Sequence, residues 1–322
     1  MEALLDIRHL STHFATSAGV VRAVDDVSLS VMPGEVVGLV GESGSGKSML
    51  GLSILGLVDA PGRITGGDIV FRGRPLTGQS ESTLRAVRGK DLAMVFQDPS
   101  MALNPVLSIE TQMVETLRAH APLSRKDARA RAVKALERVG IPDAATRIRS
   151  YPHEFSGGMR QRVAIAMAIL NRPALIICDE ATTALDVTIQ GQVIRLFQTL
   201  CREDGTALVW ISHDLAAVAS IADRILTMYA GRIVESGPAQ TVLAAAHHPY
   251  TAGLIRSVPS QTPRGERLYQ IPGHTPDLAA LPGGCPFRTR CPRASERCSE
   301  LPPWREADAG HGFLCWHPEH LA

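Results

Sequence analysis

The stretch GLVGESGSGKSML sets Gly41, Ser43, Gly44, Ser45, Gly46, Lys47, Ser48 and Met49 in a G-x-x-x-x-G-K-S frame, behind the apolar run EVVGLV and ahead of a helical pattern. In that context glycines let backbone N–H groups converge on phosphate oxygens, and the helix that follows adds its positive N-terminal end. Lys47 then reaches the β and γ phosphates of a nucleotide, and Ser48 ligates Mg²⁺. Farther along, ALIICDE reads as a buried strand ending in two acids. Two acids at a strand exit are commonly only its solvated end. With a phosphate loop upstream, Asp179 is expected to hold Mg²⁺ through water and Glu180 to polarise an attacking water.

The segment EFSGGMRQRVAIAMAIL opens a long helix at Ser156, Gly157 and Gly158, which presents a second set of free N–H groups away from the first phosphate site. Alone, such a tripeptide is only a cap. Gln97 closes the strand LAMVFQ, Asp186 ends ALD, and His213 stands in VWISHD. Taken in order with the phosphate loop and the acidic strand, these motifs resemble the ATP-binding-cassette (ABC) ATPases over about residues 4–320. The resemblance implies that Gln97 contacts Mg²⁺ and takes part in catalysis, and that His213 is a switch histidine. It also implies that two cassettes close head to tail, so that Ser156, Gly157, Gly158 and Asp186 serve the partner's ATP. The chain departs from the family at two places. Ala181 follows Glu180 where the family has proline, and the aromatic nearest the adenine-stacking position is Phe14, separated from the next strand by ATSAGV.

More narrowly, MVFQDP, LNP, YPHEFSGGMRQRV, TTALDVTIQ, MYAG and HHPYT look like the ATPase subunits of bacterial dipeptide and oligopeptide importers, a group that includes nickel importers. This implies a protein that hydrolyses ATP with Mg²⁺ to energise solute import. Its partners would be two transmembrane permease subunits, a second cassette subunit in a heterodimer and, through the permeases, an extracytoplasmic solute-binding protein. Its place would be the cytoplasmic face of the inner membrane, peripherally bound. An exporter cassette is the alternative within transport, and a soluble non-transport ABC ATPase the alternative outside it. The soluble repair and chromosome cassettes would need a long coiled-coil or zinc insertion, and the translation-associated ones carry two phosphate loops per chain. A redox or metal sensor with an ATPase attached ranks below these, because no catalytic motif is degraded.

The elements that must position these residues follow from periodicity. Short Val/Ile/Leu-rich segments alternate with helical patterns, the mark of an α/β domain with a largely parallel sheet. Strands are expected at about 4–10, 20–31, 35–40, 67–72, 91–96, 174–179, 206–211, 224–229 and 231–235, the early ones forming an antiparallel flank. No strand pattern occurs between 100 and 157, where SRKDARARAVKALERVG begins with Ser124 and Asp127 in capping-box spacing, puts Ala132, Val133, Leu136 and Val139 on one face, and stops at Gly140. A nucleotide-binding domain over residues 1–257 is thus expected, with a helical subdomain inserted at about 98–157. From 258 to 322 the chain turns rich in Pro, Gly, Arg and Cys and reads as a small irregular appendage.

Lysine plus arginine number 33 against 32 acids, which excludes the basic excess of a nucleic-acid binder. The start, MEALLDIRHL, is unlike a signal peptide and implies a cytoplasmic protein. Apolar runs such as ALIIC fall short of the ~20 residues that cross a bilayer.

Four of the six cysteines, Cys285, Cys291, Cys298 and Cys315, lie in the tail, while Cys178 and Cys201 read as ordinary thiols. A cytoplasmic setting disfavours disulfides. Free thiols remain one reading, yet a tail so poor in apolar material gains from a staple. Structural zinc draws on C-x₂₋₄-C pairs, and the spacings here are five, six and sixteen intervening residues. Wider spacing, with Pro286 and Pro292 after two of the cysteines, suits a [4Fe-4S] cluster. The importer ATPases that the chain resembles carry the same C-terminal cysteine pattern. Zinc stays as the alternative.

Overall fold

The computed structural model describes residues 2–17, 19–182, 187–259, 265, 267–308 and 310–319. In chain order its elements begin β1 (Leu5–Thr16), β2 (Gly19–Val31), β3 (Val36–Val40), α1 (Lys47–Leu55), β4 (Gly62–Phe71), β5 (Arg74–Pro75), α2 (Glu81–Val87) and β6 (Leu92–Val95). A helical stretch follows, α3 (Ile109–Arg118), α4 (Arg125–Arg138), α5 (Ala144–Arg147) and α6 (Gly157–Ile169). Then come β7 (Leu175–Asp179), α7 (Val187–Asp204), β8 (Ala207–Ser212), α8 (Leu215–Ala219), β9 (Arg224–Tyr229), β10 (Arg232–Pro238), α9 (Ala239–Ala244), α10 (Pro249–Arg256), β11 (Arg305–Asp308) and β12 (His311–Phe313). None of the helices among the described residues is long and apolar enough to cross a membrane.

The chain divides into two compact units, one of residues 1–31, 36–77 and 210–322, the other of 32–35 and 78–209. In the first, β2, β1, β4 and β5 form an antiparallel sheet in that order. In the same unit β9 runs parallel to β3, with Val37 opposite Arg224 and Val40 opposite Thr227, and antiparallel to β10. β3, VVGLV, is buried along its whole length, as a parallel strand covered on both faces must be. In the second unit β6 lies parallel to β7, from Leu92 opposite Leu175 to Val95 opposite Cys178.

The helical stretch of the second unit forms as its caps dictate. Ser108 and Ser124 each accept a hydrogen bond from the N–H three residues on, and Ser124 Oγ also bonds Asp127 Oδ2 at 2.6 Å. Ala128, Ala132 and Leu136 of α4 are buried, and Gly140 ends the run at φ 74°. The described residues hold no strand between β6 and β7, as the sequence leads one to expect.

The tail is irregular over most of its described length, as expected, and departs from that near its end. β12 pairs with β10, Glu235 opposite Phe313, and β11 pairs with β12, so the last residues extend a sheet. Phe287 joins Tyr229, Ala230, Val234 and Tyr250 in one apolar cluster. The short hairpin had no signal in the sequence because READ and HGF lack alternating apolar residues.

A buried carboxylate fastens this end of the chain. Glu235, in β10, accepts hydrogen bonds from the N–H groups of His247 (2.6 Å) and His248 (3.0 Å) and from His311 Nε2 (2.9 Å). Burial alone would raise its pKa, but these hydrogen bonds together hold it below the usual carboxylate range. His248, in turn, caps α10 by accepting the Tyr250 N–H at Nδ1 (3.1 Å), a role that only the neutral ring can fill. Burial pulls its pKa from 6.5 down to about 4, against the pull of Glu235.

Because His248 binds its proton at lower pH in the folded chain than in the unfolded one, the folded state loses stability as pH falls from about 6.5 to about 4, in all about 3 kcal/mol. Glu235 adds a loss below its ordinary 4.5. His248→Asn keeps a capping acceptor that does not titrate. Its melting temperature is expected to fall less steeply than the parent's across that window in thermal melts at stepped pH; equal slopes would refute the assignment.

Candidate nucleotide-phosphate site

The phosphate loop lies in the first unit, between β3 and α1. Gly46 stands at the N-cap of α1 with φ 104° and supplies no side-chain cap to the first turn, which also carries no acid. A Cβ on Gly46 would collide with the carbonyl oxygen of Ala23, and one on Gly41, at φ 155°, with that of Met228. These contacts, not flexibility alone, require glycine at both positions.

Lys47 is buried, and its Nζ donates to the carbonyls of Gly41 (2.8 Å) and Glu42 (2.9 Å) and to Ser45 Oγ (3.3 Å). The ammonium is thereby held against the loop that must cradle phosphate. Ser45 is fully buried and its carbonyl accepts the Gly231 N–H, whereas Ser43, Gly44 and Ser48 are exposed and Met49 half-buried. Glu42, a free position in the motif, is gripped by Tyr250 and Arg290. Partners 208 and 248 residues away leave no local signal in the sequence.

Of the remaining expected residues in this unit, His213 is exposed directly after β8, where Asp214 caps α8 through the N–H groups of Ala216 and Ala217. Phe14 lies in β1 with its ring over Gly62 of β4, where a Cβ would not fit.

The second unit gathers three of the expected residues. Asp179 ends β7 and is buried, and Glu180 follows it at φ 46°. A left-handed backbone at a non-glycine residue is uncommon and costs of the order of 1 kcal/mol or more, a strain that concentrates at functional positions. Gln97 Nε2 donates to Glu180 Oε2 at 3.0 Å, which brings the end of β6 to the end of β7. Ser156 caps α6 by accepting the Met159 N–H, and both Ser156 and Gly157 are exposed, so this helix start faces outward. Asp186 lies outside the described residues.

In the tail, Cys285, Cys291, Cys298 and Cys315 line one small cavity and form no disulfide. Burial, with the other thiols adding to it, pushes Cys285 up to about 11 and Cys315 up to about 12. Among the described residues no three His, Cys, Asp or Glu side chains are grouped so as to hold a metal.

Comparison with known proteins gives a consistent picture. The chain matches the ABC transporter family over residues 24–183 and the C-terminal region of oligopeptide/dipeptide transporters over residues 234–298. It is 47% identical to the oligopeptide transport ATP-binding protein OppD of Escherichia coli (strain K12), covering 98% of this chain and 94% of that one. It is likewise 47% identical to the dipeptide transport ATP-binding protein DppD of the same organism, covering 98% of this chain and 97% of that one. A putative peptide import ATP-binding protein of Brucella melitensis is 48% identical, covering 100% and 99%. Among solved structures, a dimeric ATP-binding cassette in a post-hydrolysis state with ADP and Pi superposes with a TM-score of 0.67 at 26% identity, over 73% of this chain and 98% of that one.

Gly46→Ala tests the loop geometry directly. The added Cβ meets a backbone carbonyl that cannot rotate away, and the left-handed conformation adds strain of about 1–3 kcal/mol. Phosphate-ligand binding by the full-length variant is expected to vanish with a lowered melting temperature, whereas binding at parental affinity would show that the loop does not need this conformation.

Proposed function

From the membership of this chain in the ABC transporter family, in its oligopeptide/dipeptide branch, we propose that it hydrolyses ATP to drive import of short peptides through separate membrane permeases. The observation that carries this reading is likeness over the full length to peptide-transport ATP-binding proteins, through both the cassette and the C-terminal region. The exposed apolar side chains of Met101 (71%) and Val106 (76%), just after Gln97, support a permease-contacting surface there. A second cassette subunit and an extracytoplasmic solute-binding protein complete the assembly, which places the chain at the inner face of the membrane.

In this reading Lys47 and the N–H groups of residues 43–49 hold the β and γ phosphates, and Phe14 meets the adenine. Ser48, Gln97 and Asp179 would hold Mg²⁺. Glu180 takes the proton of the attacking water, and Gln97 orients it through the hydrogen bond that joins the two side chains. His213 senses the γ phosphate. Ser156, Gly157, Gly158 and Asp186 contact the nucleotide of the partner cassette, for which the exposed start of α6 is suited.

Cys285, Cys291, Cys298 and Cys315 together would hold a [4Fe-4S] cluster. Four free thiols on one cavity are the donor set such a cluster takes. When bound, the cluster supplies a covalent cross-link of the appendage.

Three measurements test these assignments. In the assembled transporter, Glu180→Gln is expected to keep ATP affinity while turnover falls at least a hundredfold, about the scale of a lost general base; Lys47→Ala is expected to lose affinity itself. Parental turnover in the first variant would overturn the role of Glu180. Uptake of labelled di- and oligopeptides by cells with and without the gene tests the cargo, no difference counting against it. Anaerobically purified protein is expected to be brown with about four iron and four sulfide per chain, whereas one zinc without sulfide would replace the cluster.

A further inference from the structure

Glu42 sits inside the phosphate loop, between Gly41 and Ser43, and is held at three points. Its N–H donates to Tyr250 Oη (2.7 Å), its carbonyl accepts from Lys47 Nζ (2.9 Å), and its carboxylate takes two hydrogen bonds from Arg290, at 2.6 and 2.9 Å. The paired geometry is that of a fork meeting a carboxylate, the strongest form of such a contact.

Arg290 is not a surface arginine that happens to meet a surface acid. It lies in the turn between Cys285 and Cys291, its side chain is only 4% exposed, and its Nε donates to the carbonyl of Pro272 at 2.8 Å. Its guanidinium carbon stands 5.9 Å from the ring centres of both Tyr229 and Phe287, in the cluster that also contains Tyr250. Backbone, aromatic rings and carboxylate thus fix it before any ligand arrives. Without Arg290, Glu42 would present an unpaired negative charge inside a loop built for anions, and the carbonyl that helps seat Lys47 would lose its anchor.

We propose that Arg290 and Tyr250 are positioning residues for the phosphate loop, so that the cysteine-bearing appendage, through Arg290, sets the affinity of the loop for nucleotide. Arg290 acts in two ways, by neutralising Glu42 and by fixing its place; Tyr250 acts in the second way alone. The inference rests on the reading of the loop as the ATP site.

The test is displacement of a fluorescent ATP analogue by MgATP from the full-length chain, with thermal melts to confirm folding. Lys47→Ala examines the underlying reading; unchanged affinity there would remove the site and the inference with it. If Lys47→Ala abolishes binding, Arg290→Met is expected to weaken MgATP affinity on the order of tenfold. Adding Glu42→Gln to Arg290→Met is expected to restore part of the loss, because the unpaired charge is gone. Tyr250→Phe keeps the ring packing and serves where Arg290→Met does not fold; a threefold or greater rise in Kd is expected, with a matching rise in KM and little change in kcat in the assembled transporter. Affinity within twofold of the parent in folded Arg290→Met, or in Tyr250→Phe where that is the variant available, would overturn the proposal, as would a fall in kcat at unchanged affinity.

Discussion

The carbonyl oxygens of Ala23 and Met228 come so close to Gly46 and Gly41 that neither position admits a Cβ, and this contact fixes the loop against β2 and β9. The carbonyl of Ser45 then accepts from Gly231, and Lys47 closes back on Gly41 and Glu42. The first of these bonds ties the loop to the turn after β9, and the others close the loop on itself. A loop that binds anions through its backbone must be rigid before the anion arrives, because ordering it afterwards would subtract from binding. The glycines supply permitted angles, and the neighbouring strands supply rigidity.

The sequence disclosed what depends on local pattern. The buried runs VVGLV, LIICD and ALVWIS show as continuous apolar segments, and the Ser124 cap shows as a spacing. The motif residues were all visible, since their types and order are the signal. What stayed hidden depends on the third dimension. The left-handed angle of Glu180 has no signature in a residue that is neither glycine nor asparagine. The bond from Gln97 to Glu180 spans 83 residues, and the grip of Arg290 on Glu42 spans 248. Composition marked the tail as different but not as structured, because β11 and β12 are short and gain order by pairing rather than from their own apolar rhythm.

A buried carboxylate outside the tail helps to explain how so apolar-poor a segment holds its place. Glu235 collects its hydrogen bonds from residues 247, 248 and 311, which belong to two separate stretches of the chain. A satisfied buried carboxylate adds little net stability against an apolar replacement, yet it strongly disfavours arrangements in which any donor is missing. It thereby selects one path for the chain. The rings of Tyr229, Tyr250 and Phe287, packed at 4.5–5.4 Å between centroids, then fill the space on that path.

The hairpin at the end of the tail also settles what becomes of the outer side of β10. An unpaired strand of that length would offer open N–H and C=O groups to any neighbouring chain. β12 covers that side at Glu235 and Ser236, and there the border passes to β11, four residues reading READ, too short and too charged to recruit another strand. The appendage thereby gives this part of the sheet a selvedge, the finished border that keeps a cloth from being joined at its edge.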